Sequence, residues 1–176
     1  KPAEQAAISV SIEGQDRIRF SGKGAGAGMM MSASMGSMGI AIGVAIDEGI
    51  SKEIHESFVA SGGNFAEIVE SETRAWLSKV CHENPKKLRS LCFSRSSMMV
   101  RVYRYGFVTT SGEADPVKVE LDVGLVMGDQ GEIRKNLTEL NDALAAPLEG
   151  VKKDGVMSTR LLTTGYQTLL EAYDTI

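Results

Sequence analysis

Apolar and polar residues alternate over Ala7–Ile12, the two-residue period of a strand with one buried face. Gly14 offers a turn, and Arg17–Phe20 resumes the alternation, so the opening reads as a short hairpin or two linked strands. Met98–Thr110 and Val117–Met127 carry the clearest strand patterns, with the turn-forming SGEADP between them; they predict an antiparallel hairpin. The alternation is disturbed near Gly106. Ile133–Leu144 stays open between strand, loop and short helix, and Pro147 ends it.

The helical period appears in three places. Ile50, Ile54 and Phe58 share a face within Asp47–Ser61, and Gly62–Gly63 breaks that pattern. Asn64, with Glu67 three residues on, has the form of a helix N-cap. Phe65, Ile68, Val69, Trp76 and Val80 then give a second apolar face. Leu161, Leu162, Leu169 and Leu170 supply core positions for a terminal helix over Val156–Tyr173, with Gly165 as its weak point. Together these predict one α+β domain over residues 1–176: a small antiparallel sheet packed with helices.

That pattern is interrupted by residues 22–46, rich in glycine and methionine. Gly24–Ile46 has no charged residue. As one helix, its 23 residues would rise about 34 Å, against a bilayer hydrocarbon core of about 30 Å. Gly28, Ser32, Gly36, Gly39 and Gly43, with Ala41 and Ala45 beside them, are spaced to let helix backbones approach closely. A membrane or oligomerisation segment is therefore expected, as one crossing helix or as a hairpin broken at Gly36–Ser37. Short strands from such a hairpin would need a closed barrel.

Net charge is −4 and the sequence pI about 5.3, which argues against general nucleic-acid binding. A local basic patch remains around Lys79, Lys86, Lys87, Arg89 and Arg95, read as a solvated charged loop. Cys81 and Cys92 enclose ten residues. In an oxidising compartment they could staple a helix end to a strand; in the cytosol they would be ordinary thiols. The chain starts at Lys1 without an initiator Met and reads as a mature or trimmed product, so an export signal or lipid-bearing cysteine ahead of it would not be seen.

No catalytic constellation is legible. His55–Glu56 and His82–Glu83 lack the second His of HExxH, and Cys81–His82 does not have zinc-ligand spacing. Ser94, Ser96 and Ser97 lack a nucleophile elbow. The glycines after Lys23 do not form a phosphate loop. Met29, Met30 and Met31 do not share one helix face, which favours packing over soft-metal ligation. Tyr103 and Tyr105 are placed on one strand face with Arg101, as a half-buried sheet face or subunit contact. The reading is nonenzymatic, with no cofactor and no metal.

Ser21–Gly28 and Gly36–Ile50 resemble glycine-zipper outer-membrane lipoproteins of Gram-negative bacteria. The arrangement is also distantly similar to surface-exclusion lipoproteins. The resemblance implies outer-membrane attachment facing the periplasm and ring-like oligomerisation. The expected function is a structural component of an oligomeric bacterial envelope assembly, as a ring or pore. Its partners would be further copies of itself, membrane lipid and other envelope proteins, without nucleic acid. The alternative is a soluble periplasmic binding or scaffold protein that buries the glycine-rich segment at an oligomer interface.

Overall fold

Val117, Val119, Leu121, Val123 and Leu125, every second residue of one strand, are all 0% exposed. They make the floor of the core in a computed structural model that describes residues 6–22, 36–93, 96–109, 116–128, 131–137 and 144–173. In chain order the elements are β1 (Ala7–Ile12), β2 (Arg19–Ser21), α1 (Ser37–Ala60), α2 (Phe65–Glu83), α3 (Arg89–Phe93), β3 (Ser97–Val108), β4 (Pro116–Met127), β5 (Glu132–Leu137), β6 (Ala145–Pro147), α4 (Leu148–Lys153) and α5 (Gly155–Tyr173).

β3 and β4 form the expected antiparallel pair at the centre. The sheet as a whole is mixed rather than antiparallel. β1 and β2 both run parallel to β3, one after the other along the same edge. They are not a hairpin: at the end of β1 the Glu13 amide donates to the Val102 carbonyl at 2.9 Å, and the Tyr105 hydroxyl donates to Asp16 at 2.6 Å. These bonds keep the loop on the β3 edge, so the chain resumes in its original direction. On the other side, β5 and β6 pair antiparallel with successive stretches of β4. The ambiguous stretch after Ile133 thus begins as a strand.

The helices bury the apolar face of this sheet. Asn64 caps α2 by accepting from the Glu67 amide at 3.3 Å, and Phe65, Val69 and Val80 enter the core. Leu161, Leu162, Leu169 and Leu170 of α5 do so as well. Gly62, at φ +87°, makes the turn between α1 and α2 in a conformation that side chains disfavour. Gly165, the expected weak point of the terminal helix, lies within α5. It is buried, and a Cβ there would press on Val119, so its absence lets the helix settle on β4. Tyr173 closes the end of the core by donating to the Val123 carbonyl at 2.9 Å.

The expected single crossing helix is overturned. Among the described residues no helix is long and apolar enough to cross a membrane. Residues 37–46 are the start of a longer helix, contributing about 15 Å of rise, half of what a bilayer core needs. From Asp47 onward α1 is charged on one side, and its Ile54 and Phe58 are buried in the core. A helix committed to the sheet by that half cannot serve as a free anchor. Residues 24–35 lie outside the described residues.

Gly155 starts α5 where it meets α1, and an added Cβ would overlap the Ser57 carbonyl. Replacing Gly155 by Ala is expected to cost about 1–3 kcal/mol, read as a lower urea midpoint with an unchanged slope. An unchanged midpoint would mean that the two helices are not held this close.

Candidate functional site

α1 is a helix of two halves. In the first, Met38, Ile40 and Val44 are 62%, 57% and 57% exposed, with Ile46 beside them. In the second, polar residues recur at every fourth position and tie the helix to the backbone on either side of β2, at Ile18 and Gly22. Asp47 accepts from the Gly22 amide at 3.2 Å. The Ser51 hydroxyl donates to the Ile18 carbonyl, and His55 Nδ1 accepts from the Ile18 amide at 3.3 Å. Arg17 pairs with Glu48 on the same side. Ile18 is itself 0% exposed, so Ser51 and His55 satisfy a backbone that water does not reach. The spacing Asp47, Ser51, His55 was legible as one helix face. Its partner was not, because it lies on a loop some thirty residues earlier in the chain.

The predicted packing residues are dispersed. Gly28 and Ser32 lie outside the described residues. Gly36 is exposed at the start of α1, with φ +62°. Gly39 lies within α1. Ala41 and Ala45 are exposed, whereas Gly43 is buried. Over the described part, the exposed large side chains are not gathered on one face: Ile40 and Val44 lie one turn apart on the same side of α1, and Met38 lies on the other.

The open face of the sheet carries a second, polar cluster. A bulge between Val102 and Arg104 shifts the β3 register. Tyr103 therefore stays outward while Tyr105 turns inward, 2% exposed and stacked on Phe65 with ring centroids 4.2 Å apart. The expected shared face for these two tyrosines is corrected by that extra residue. Burial raises the Tyr105 pKa, and its bond to Asp16 adds to this. Outside, the Tyr103 hydroxyl donates to Glu132 at 2.5 Å, and Arg134 lies over the Tyr103 ring at 3.7 Å. Arg134 also forks onto Asp122 at 2.8 and 2.6 Å, which raises its already high pKa. Gly124 makes this network fit, since a Cβ there would strike the Glu132 carboxylate. The charges satisfy one another and bind β3, β4 and β5 side by side on this face.

Between α2 and α5 a surface groove of about 270 Å³ is lined by Trp76 and Leu170, with Glu72, Lys79, Gln167 and Glu171 at its walls. Gln167 donates to Glu72 across it at 2.8 Å. Beneath it, the Thr73 and Tyr166 hydroxyls share a buried hydrogen bond of 2.7 Å, and burial raises the Tyr166 pKa.

Among the described residues the groups weighed for chemistry do not converge. Cys81 and Cys92 are joined in a disulfide with Cα atoms 5.5 Å apart. His82 is exposed in the last turn of α2, and His55 belongs to the loop contact. No group of three or more His, Cys, Asp and Glu side chains gathers for a metal among the described residues. Ser94 and Arg95 lie outside the described residues.

Comparison with family models, with curated proteins and with solved structures returned no match for this chain. The resemblance to glycine-zipper outer-membrane lipoproteins is therefore not upheld. With no described crossing helix, the expected outer-membrane, periplasm-facing location, the ring or pore, and the lipid and envelope partners lose their support.

The His55 contact sets a pH dependence. Burial lowers the His55 pKa from its usual 6.5, with nearby Arg17 acting in the same direction and Asp16 and Glu56 opposing. The unfolded chain then binds the proton more tightly than the folded one. Stability from this group is fully present above pH 6.5 and is lost as pH falls through the lower folded value. The melting temperature of the wild type is expected to fall more steeply below pH 6.5 than that of His55→Asn, whose amide oxygen can accept from Ile18 without titrating. Parallel curves would remove His55 from this role.

Proposed function

We propose that this protein is a noncatalytic scaffold module that associates with a second copy of itself through the uncharged segment ending in the first half of α1. The observation that carries the reading is the exposure of Met38, Ile40 and Val44 on a helix whose other half is fastened to the sheet. Burying apolar side chains of this kind yields about 25 cal/mol per Å² removed from water. A rigid, pre-anchored helix also loses little conformational freedom when it does so.

A second copy is the occupant that the charge pattern favours. A two-fold contact sets the same residues against one another. Any charge near the axis would then face its own like. Residues 24–46 contain none, so self-pairing meets no repulsion there, while a charged partner finds nothing to pair with. The noncatalytic part of the reading draws on what the reactive groups do. Both thiols form the disulfide, and His55 Nδ1 serves a backbone amide.

Sedimentation equilibrium tests this. The wild type is expected above the 18.9 kDa of one chain, with a mass that falls on dilution. Ile40→Glu with Val44→Glu is expected to sediment as one chain with an unchanged circular dichroism spectrum. A wild type that stays at one chain across concentration would overturn the proposal.

A further inference from the structure

We propose that the disulfide-closed turn between α2 and α3 docks an acidic peptide segment of a partner protein, through Lys86, Lys87 and Arg89. The proposal is independent of self-association through α1. The chain is acidic overall at −4, yet residues 82–91 hold three cations against the single acid Glu83, a local charge of +2. Elsewhere most described cations face a carboxylate: Arg17 and Arg19 share Glu48, Arg104 takes Glu120 and Arg134 takes Asp122. Lys86, Lys87 and Arg89 are exposed and have no ion pair among the described residues.

The turn that displays them is rigidly held. Cys81 is bonded to Cys92 across it. Leu91 is buried, and Leu88 packs against the core from the same turn. Backbone bonds from Lys87 to the Asn84 carbonyl at 3.1 Å and from Cys92 to the Leu88 carbonyl at 2.9 Å close it further. With Leu88 and Leu91 inward, the cations point to solvent on a support that need not be ordered on binding, which lowers the cost of capture. Phe93 follows on α3 at 68% exposed, so the complementary segment pairs acids with an apolar residue. Nucleic acid fits poorly, because its dense phosphate charge would be repelled by the acidic remainder of the surface.

The test is fluorescence anisotropy with a labelled peptide of aspartate, glutamate and leucine, set against its asparagine, glutamine and leucine counterpart. The acidic peptide is expected to bind saturably, more weakly as salt rises, and the neutral one not to bind. Lys86→Ala, Lys87→Ala and Arg89→Ala together should weaken binding about tenfold. Lys87→Glu alone should weaken it too, should the triple variant fold poorly. Lys118→Ala with Arg160→Ala, which removes cations outside the turn, should leave it unchanged. Reduction of the disulfide should weaken it several-fold, and equal affinity after reduction would overturn the pre-organising role given to that bond. The docking proposal is overturned by an equal loss in the Lys118 and Arg160 variant, by absence of saturable binding, or by tighter binding of a single-stranded DNA of the same charge.

Discussion

Everything in this fold leans on the inward face of β4, where an unbroken row of Val and Leu is removed from water. A strand puts alternate side chains on opposite sides, so one row of this kind makes one apolar sheet face and obliges the helices to gather over it. β3 doubles the face through its long antiparallel pairing, and the edge strands extend it. α1, α2 and α5 each contribute their apolar stripe to the same core. The other face is left to charged pairs, which bind β3, β4 and β5 laterally through Tyr103, Asp122, Glu132 and Arg134.

α1 shows how one helix can serve two environments. Its second half has both requirements of a packed helix: Ile54 and Phe58 in the core, and polar side chains that satisfy the buried Ile18 backbone. Its first half has neither charge nor a covered apolar face. The polar ties near Asp47 hold the exposed half at a fixed place relative to the sheet, so its apolar side chains form a presented surface.

The two ends of α2 are secured differently. The Asn64 cap costs little and satisfies an orphan amide. At the other end the Cys81–Cys92 bond closes a turn whose leucines face inward and whose cations face out. By the loop-closure argument such a cross-link removes about 3 kcal/mol of unfolded-state entropy. It also keeps like charges displayed together that an unconstrained loop would spread apart.

Periodicity and composition by themselves determined the α+β class, the β3–β4 hairpin, the Asn64 cap, the apolar faces of the helices and the absence of charge over Gly24–Ile46. These depend on residues near one another in the chain, where the strand and helix periods act directly. Tertiary structure decided the rest. The parallel course of β1 and β2 depends on their bonds to β3, nearly ninety residues further along. The inward turn of Tyr105 depends on a bulge that shifts the register, and the close seat of Gly165 against Val119 depends on how α5 packs on β4. The uncharged segment showed the limit most clearly: length and hydropathy suited a membrane, but the polar ties and core contacts of the residues that follow it draw its helix onto the sheet, and no local pattern encodes a partner that distant in sequence.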